Sequence, residues 1–338
     1  MIWRTAGKRR LLSWMLGQKN SVNVRRRAQQ FMTTPLARSD IKAPVPKGFW
    51  KLFIVQFQGA FSDNVFKFLV TFYAARGVTD ELRDERIFQI LAIFTLPFIL
   101  FSMLAGCLSD RYQKGRVITW TKILEIAIMT LGTFALYTQS FPFMLAVIFL
   151  MSVQSTIFSP AKYSSLPELL PEWRLSWGNG LIGMGTFVAI IAGGVLAGVA
   201  SAKLGNDRIW MAGSILIVLA GIGTLVSLGI PRIAAANPSK PFRVNFLAEL
   251  GDNLKLIRPN RVLSLAIVGS IYFWLVAALY EPTLVVFGQD MLNLDDDANS
   301  LLRAFLAIGL GVGFALAGFL SGRKIEYGLV PLGAFGLS

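Results

Sequence analysis

Histidine is absent from the 338 residues of this chain, and cysteine occurs once, at Cys107. Histidine is the side chain that most often serves as a general base, a metal ligand or a pH sensor near neutrality. A single cysteine can form neither an intramolecular disulfide nor a thiol-rich metal site. These absences argue against an enzyme, and no catalytic residue, metal or cofactor is predicted.

Charge is also scarce, because only 15% of the residues are Asp, Glu, Lys or Arg. Soluble domains average about 25%. The chain is 54% hydrophobic with a mean hydropathy of +0.57, so an all-α membrane protein is predicted. Eight stretches are long enough to cross a hydrocarbon core of about 30 Å as helices. These are residues 50–75, 87–108, 117–138, 142–160, 178–200, 209–230, 262–287 and 301–321, and a ninth begins at Leu329.

The positive charge is concentrated at one end, where residues 1–51 hold twelve Lys or Arg against one acid, Asp40. Beside membrane spans, such a segment is interpreted as cytosolic and attracted to anionic lipid, rather than as a nucleic-acid site. An organellar transit peptide, or a start at Met32, is the alternative. Loops 109–116, 231–261 and 322–328 are also basic and fall on the same side, which places the amino terminus in the cytosol.

Six spans, a long basic loop and further spans are typical of a transporter built from two six-helix halves. The predicted organisation is a basic segment (1–47), a six-helix bundle (48–230), a linker with an amphipathic helix at 245–257 (231–261) and a partial second bundle (262–338). An internal repeat supports it, because "GCLSDRYQKGRVI" (106–118) recurs as "GFLSGRKIEYGLV" (318–330) after the second span of each half.

The first copy of this repeat resembles the signature loop of the major facilitator superfamily. The resemblance implies the major facilitator fold and a conformational latch formed by this loop against helix eleven of the other half. Gly106 would permit close helix approach and Asp110 would cap or pair at a helix end. Three bases, Arg111, Lys114 and Arg116, would keep the loop cytosolic. The alternative is that these residues only set topology.

Three further stretches narrow the resemblance to the lysophospholipid transporter family: "QFQGAFSDNVFKF" (56–68), "FSPAKYSSLPELLP" (158–171) and the glycine-rich 178–198. Residues 272–282 and 322–336 are more similar to members fused to an acyltransferase and an acyl-carrier-protein ligase. The resemblance implies inward flipping of lysophospholipids, lysophosphatidylethanolamine above all, across the bacterial inner membrane for reacylation. The implied partners are the lysophospholipid, membrane lipids and an acyltransferase/ligase region in cis or in trans, with no nucleic acid.

The same family implies twelve helices, whereas this sequence stops at the start of a ninth. The expectation is therefore a complete first bundle and a second bundle truncated after its second helix, as a truncated product, a partial sequence or a piece of something longer. A 338-residue form by itself is not expected to transport.

The first span carries an acid, an amide and a base in its middle: Asp63, Asn64 and Lys67. Gln56, Asp63 and Lys67 recur every three or four positions and share a helix face, which should avoid lipid because a charge at mid-membrane costs at least about 2.5–3.5 kcal/mol. One interpretation is an intrahelical Asp63–Lys67 pair. The other, which the resemblance supports, is that Asp63 and Asn64 face a central cavity and bind the headgroup ammonium.

Lys162 and Tyr163 follow the predicted end of the fourth span. A lysine is a compact charge suited to phosphate, and a tyrosine suits the interface. On residue type alone they are an ordinary loop lysine and an interfacial aromatic residue. The resemblance implies that they contact the headgroup phosphate.

Other polar residues inside the spans receive weaker interpretations. Lys122 and Glu125 are expected to pair with each other, with Lys122 reaching toward the membrane surface, and proton coupling through Glu125 is the alternative. Glu281, beside Pro282, could receive the headgroup amine from the outer side. The glycines of the fifth span predict close helix packing rather than chemistry.

Three other functions remain as alternatives. A proton-driven drug or solute exporter should have a buried acid without a nearby base and a proline in the fifth span, neither of which the sequence has. An acyltransferase needs a His-x4-Asp motif, which a chain without histidine cannot supply. A non-transporting membrane half of a fused acyltransferase would not need the charged residues of the first span.

Overall fold

A computed structural model describes residues 44–239, 246–292, 296–321 and 328–335. In these ranges the regular elements are helices: α1 (Lys47–Ala75), α2 (Asp80–Arg111), α3 (Lys114–Tyr137), α4 (Phe141–Leu169), α5 (Leu175–Arg208), α6 (Trp210–Ser227), α7 (Phe246–Ile257), α8 (Arg261–Asp290), α9 (Asp296–Leu320) and α10 (Leu329–Phe335). A single 3-10 turn, Glu172–Arg174, precedes α5. The predicted all-α class is confirmed.

Each of the eight predicted spans overlaps a helix along most of its length, and the predicted amphipathic helix is α7. Several helices are longer than predicted, because α2 begins at Asp80 rather than 87 and α4 runs to Leu169 rather than 160. Hydropathy marks only the part of a helix that would contact lipid, whereas the polar ends also keep their backbone hydrogen bonds.

Six helices in the described part of the chain are long and apolar enough to cross a membrane, and they are α2 to α6 and residues Arg261–Tyr280 of α8. The first helix does not belong to this set. It has 29 residues and is about 43 Å long, which is sufficient to span, but polar side chains interrupt its apolar sequence. They lie on a face that packs inside the bundle.

The first six helices form a bundle in which α1 packs along α5, α2 along α4, and α3 along α4 and α6. Its core includes Phe66 and Leu69 of α1, Met129 of α3 and Ile148 of α4, all at most 1% exposed. Because α1 contacts α4, α5 and α6 as well as α2, its polar face meets several helices at once.

One end of this bundle gathers the start of α1, the α2–α3 turn and the segment after α6. Lys51 Nζ donates to the carbonyl of Gly229 over 2.9 Å, and the Asn237 amide donates to the carbonyl of Asp110 over 2.8 Å. The opposite end is joined by bonds such as Arg76 to Asn206 and Tyr73 to the Gln139 carbonyl. The described parts of three basic segments that the sequence assigns to one side, the start of α1, loop 109–116 and residues 231–239, therefore share one end of the bundle.

Glycines of α5 permit close contacts on two sides, as predicted. A Cβ atom at Gly180 would lie 2.5 Å from the Phe314 carbonyl oxygen of α9, and one at Gly193 would lie 3.0 Å from the Phe61 carbonyl oxygen of α1. Side chains at these positions would push the helices apart. The interpretation of the glycines as a packing surface is confirmed.

Candidate functional site

A cavity of about 290 Å³ lies inside the first six-helix bundle. Helices α1 to α5 all contribute to its wall. The polar lining residues are Gln56, Asp63, Asn64, Lys67, Lys122, Glu125, Gln154, Ser155, Ser159, Lys162 and Thr186. The rest of the wall is mainly apolar and includes Phe94, Phe98, Phe158 and Ile190. The cavity therefore combines a charged side with an aromatic and aliphatic side.

The polar face predicted for the first span is confirmed. Gln56, Asp63, Asn64 and Lys67 of α1 all line the cavity, together with Gly59 and Ala60. Their spacing of three to four residues brings them to one side of the helix. The polar residues of α1 thus avoid lipid by facing the interior.

Asp63 makes its hydrogen bond to another helix rather than to Lys67. Its Oδ2 lies 2.5 Å from the hydroxyl oxygen of Ser155 in α4, while its buried Oδ1 has no hydrogen-bond partner. The Lys67 ammonium lies 4.7 Å from the centre of the Phe94 ring. Asn64 donates to the Ala60 carbonyl over 2.7 Å. The intrahelical Asp63–Lys67 pair is replaced by a bond between α1 and α4.

Glu125 and Lys122 form a buried ion pair, each 1% exposed. Gln58 joins the pair from α1, because its Oε1 accepts from Lys122 Nζ over 2.5 Å and its Nε2 donates to Glu125 Oε1 over 2.9 Å. The predicted pairing is confirmed, but the prediction that Lys122 reaches toward the surface is wrong. The Glu125 carboxylate and the Gln58 amide hold this ammonium inside the bundle, so it does not need water.

Gln154 and Ser155 are functional-site residues that the sequence analysis missed. They are consecutive in α4, and they connect Glu125 of α3 with Asp63 of α1. Gln154 Nε2 also donates to the Thr121 carbonyl over 3.1 Å. Gln154 could have been found in the sequence as an amide inside an apolar span, because a buried amide needs several hydrogen-bond partners.

Lys162 lines the cavity, whereas Tyr163 does not. The Lys162 side chain is 6% exposed and its Nζ lies 4.3 Å from the centre of the Tyr163 ring. Tyr163 is 53% exposed. Both residues lie within α4 rather than after its end, so consecutive positions point to different sides of a helix. The side chain of Glu281 lies outside the described residues.

The predicted latch residues have different surroundings. Lys114 is buried, donates to the Ser164 carbonyl over 2.8 Å and lies 4.0 Å from the Glu168 carboxylate. Arg111 lies near the ring of Tyr112, and Arg116 is exposed. The carbonyl of Asp110 accepts a hydrogen bond from the linker, as described above. Residues 322–327, in the middle of the second copy of the repeat, lie outside the described residues.

A Cβ atom at Gly106 would meet nothing within 4 Å among the described residues, so the close helix approach expected of Gly106 stays a prediction. The glycine that permits close packing in this region is Gly115. A Cβ atom at Gly115 would lie 2.9 Å from the carbonyl oxygen of Pro231 in the linker. Gly115 is the first-turn residue that faces the linker.

Membrane-length helices packed around an internal charged cavity define a multi-pass membrane transporter. Residues 52–338 match the family model of the Major Facilitator Superfamily. The chain belongs to this superfamily, which confirms the resemblance of the signature loop and agrees with a transporter rather than an enzyme.

The chain is also similar to curated bacterial proteins. It is 26% identical over 299 residues to the lysophospholipid transporter LplT of Photorhabdus laumondii, which covers 88% of this chain and 72% of the relative. It is 28% identical to LplT of Pectobacterium carotovorum, over 78% of this chain and 62% of the relative. LplT of Escherichia coli strain K12 is 28% identical over 85% of this chain and 70% of the relative.

Solved structures show more distant similarity. A peptide transporter, POT, in complex with sulfate has a TM-score of 0.47 and 17% identity, over 77% of this chain. This chain spans about half of that transporter, 56% of its length.

Proposed function

We propose that this chain carries lysophospholipids across a membrane and holds their headgroup in the cavity of the first bundle. The observation that carries the proposal is that Asp63 and Lys162 line one cavity. An acid and a base on one wall suit a zwitterionic headgroup, in which an ammonium and a phosphate are separated by a short linker. The relatives named lysophospholipid transporter support the same substrate class.

The cavity size favours a headgroup rather than a whole lipid. A volume of about 290 Å³ lies at the lower end of the range for ligand pockets. The acyl chain of a lysophospholipid can stay in the surrounding hydrocarbon, so only the polar part needs a site. Phe94, Phe98 and Phe158 would lie beside the glycerol and the first methylenes of the chain.

Within the cavity we assign the phosphate to Lys162 and the ammonium to Asp63. Lys67 also lines the cavity and is a second candidate for the phosphate. Asn64 would contribute polarity next to Asp63. Tyr163 would position the Lys162 ammonium through a cation–π contact with its ring, rather than contact the headgroup. Glu281 remains a proposal for an outer contact with the amine.

We further propose the bacterial inner membrane as the location, with the amino terminus in the cytosol. The bacterial origin of the relatives supports the first part. The positive-inside rule supports the second, since Lys51, Arg111, Lys114 and Arg116 lie at the same end of the bundle. Cysteine accessibility labelling at Arg116→Cys and Gln139→Cys tests the orientation, and labelling of the first from the periplasm would contradict it.

The reacylation partner is an acyltransferase/ligase region, either in the same polypeptide or as a separate protein. The similarity of residues 272–282 and 322–336 to fused members supports this partner. The intact mass of the polypeptide in its own membrane distinguishes the two arrangements. A mass several-fold above 37.2 kDa indicates a fusion. A mass near this value, or about one third above it, means that the partner is a separate protein.

The deciding experiment is uptake of radiolabelled lysophosphatidylethanolamine in cells or proteoliposomes that contain the polypeptide as its own gene encodes it, rather than the 338-residue form by itself. The variant is Lys162→Ala, and the matched control is Lys203→Ala, an exposed lysine of α5 outside the cavity. We expect Lys162→Ala to weaken uptake about tenfold or more, because a charge-assisted bond contributes about 1.5–3 kcal/mol. Equal uptake by both variants at equal membrane levels would contradict the headgroup site.

A further inference from the structure

The hydroxyl of Ser155 has one hydrogen atom but faces two acceptor groups. Its Oγ lies 2.5 Å from Asp63 Oδ2 and 3.2 Å from Gln154 Oε1. An ionised carboxylate and an amide oxygen can only accept hydrogen bonds. If Asp63 were ionised, the one Ser155 hydrogen would lie in the short 2.5 Å contact, and the 3.2 Å approach of the Gln154 oxygen would have no proton in it.

Reversing the Gln154 amide does not resolve this shortage. Its Nε2 lies 3.1 Å from the Thr121 carbonyl oxygen and 3.5 Å from Glu125 Oε2, and both of these atoms only accept. An exchange of Nε2 and Oε1 would turn the amide oxygen toward a carbonyl and a carboxylate. The Oε1 atom of Gln154 must therefore face Ser155.

The two buried carboxyl groups differ in the donors that they receive. Glu125 accepts from Gln58, Lys122 and Gln154, so its negative charge is well compensated. Asp63 has one short contact, to Ser155, and its buried Oδ1 has no hydrogen-bond partner among the described residues. A buried ionised carboxylate requires several donors, whereas a neutral carboxylic acid requires fewer.

Other charged groups around Asp63 are engaged as follows. From α3, Glu125 and Lys122 face it, and they pair with each other. From its own helix, Lys67 faces it and lies over the Phe94 ring. From α4, Lys162 lines the same cavity. The described lining residues of α2 and α5 are not titratable, and they are Phe94, Phe98, Thr186 and Ile190.

We propose that Asp63 is a proton-binding site, protonated in this conformation, and that a headgroup ammonium displaces the proton when substrate binds. The Asp63 O–H donates to Ser155 Oγ, and the Ser155 O–H donates to Gln154 Oε1. The Asp63 hydrogen then lies in the contact with Ser155, and the Ser155 hydrogen lies in the contact with Gln154. The chain of donors ends at Glu125, which receives the Gln154 amide.

The exchange step rests on the proposed function, whereas the protonated state of the empty cavity does not. In the exchange, the Asp63 O–H bond breaks, the proton leaves to water and the carboxylate accepts the N–H of the incoming ammonium. Ser155 then turns its hydrogen from Gln154 to the carboxylate. One proton leaves for each ammonium that binds, so the charge at the Asp63 end of the cavity does not change, and the phosphate brings one negative charge to the Lys162 end.

Infrared spectroscopy tests the protonated state without transport. Protein carrying carbon-13 in its aspartate carboxyl groups is compared with unlabelled protein at neutral pH, where exposed aspartates are ionised. We expect an isotope-shifted carbonyl band of one carboxylic acid that is lost in Asp63→Asn and kept in Asp207→Asn, an exposed acid outside the cavity. Absence of the band in the unsubstituted protein, or its persistence in Asp63→Asn, overturns the proposal.

Ser155→Ala provides a second variant in case Asp63→Asn does not fold. Removal of the hydroxyl takes away the acceptor of the acid, so the carbonyl band should shift in frequency. Ser155→Thr retains a hydroxyl and should restore the original position. A band that is identical in all three proteins would show that Ser155 is not the acceptor and would overturn the assigned chain.

Proton release tests the exchange. Purified protein in weak buffer is titrated with lysophosphatidylethanolamine while a pH-indicator dye is monitored, and lysophosphatidylglycerol, which has no amine, is the matched ligand. We expect one proton per bound amine lipid, and none with the glycerol lipid or with Asp63→Asn. Binding without release overturns the exchange alone. Absence of binding by either lipid overturns the exchange together with the proposed function, and the infrared band still decides the protonated state.

Discussion

Glu125 and Asp63 are both carboxyl groups inside the first bundle, yet their surroundings are opposite. Glu125 is 1% exposed and accepts from an ammonium and two amides. Asp63 shares one oxygen with Ser155 and leaves the other without a partner at the cavity. The comparison teaches that a buried carboxyl group whose oxygens are all bonded serves the fold, whereas one with an unbonded oxygen is suited to a ligand.

Helix position explains the difference. Glu125 lies in α3 between α1 and α4, where Gln58 and Gln154 approach it from both neighbours. Asp63 lies in α1 at the wall of the cavity, so one side of its carboxyl group meets no protein atom with which it could bond. Matched amide substitutions at the two positions separate these roles.

The largest effect is expected for Glu125→Gln. The new amide would present its NH2 group among Lys122, Gln58 and Gln154, which are all donors, and the Lys122 charge would lose its partner. Breaking a buried pair in this way costs about 3–5 kcal/mol. The measurement is unfolding of the purified protein in detergent, and a loss below about 1 kcal/mol would show that Glu125 does not serve the fold.

A smaller effect on stability, and a large one on transport, is expected for Asp63→Asn. Asparagine has the shape of a neutral aspartic acid and can donate to Ser155, so stability should change by less than about 1 kcal/mol. It cannot bind an ammonium as a carboxylate does. Uptake of lysophosphatidylethanolamine should fall about tenfold or more at equal membrane level. Normal uptake would exclude Asp63 from the site.

The next effect concerns Ser155→Ala, which removes the hydroxyl group that bonds to Asp63. We expect a loss of about 1 kcal/mol in binding, which is about a fivefold weaker apparent affinity, because Asp63 is no longer oriented. Ser155→Thr should recover most of it. Ser214→Ala in α6, whose hydroxyl bonds to the Trp210 carbonyl of its own helix, is the matched control and should leave the affinity unchanged.

The smallest effect is expected when both members of the Glu125 pair are replaced by apolar residues of similar size, as in Lys122→Met with Glu125→Leu. Such replacements of buried pairs are often neutral in stability. The double variant should lie within about 1 kcal/mol of the unsubstituted protein and well above Glu125→Gln alone. If it is as unstable as the single variant, Gln58 and Gln154 depend on the pair for their own bonds.

Much of the fold could be predicted because an apolar stretch of about 20 residues is typical of a membrane-spanning helix and of few other structures. All eight spans were located, and the basic loops were assigned to one end. Helix ends were less predictable, as shown by α4, which continues through Pro160 and Pro167 to Leu169. The apolar pattern stops near residue 160, whereas the helix continues for about nine more residues.

The candidate site was predictable in part. Asp63 and Asn64 could be found because a charge or an amide inside a span is costly unless it faces the protein interior, whereas Lys162 was found only through the family resemblance. Ser155 and Gln154 were missed, because a neutral hydroxyl or amide group in a membrane span costs less free energy than a charge and is therefore a weaker signal of function. The close approach of Gly115 to the Pro231 carbonyl was not predicted, because a glycine in a sequence does not reveal which neighbour approaches it.

The sequence by itself determined that this protein is a helical membrane protein and that one face of its first span must turn inward, because hydrocarbon excludes charge. It also determined which residue types could meet a phosphate or an ammonium. Only the tertiary structure decided that Glu125 is fully bonded while Asp63 is left open. The reason is that hydrogen bonds between helices depend on which helices become neighbours, and residues 58, 63, 125 and 155 meet only after α1, α3 and α4 have packed together.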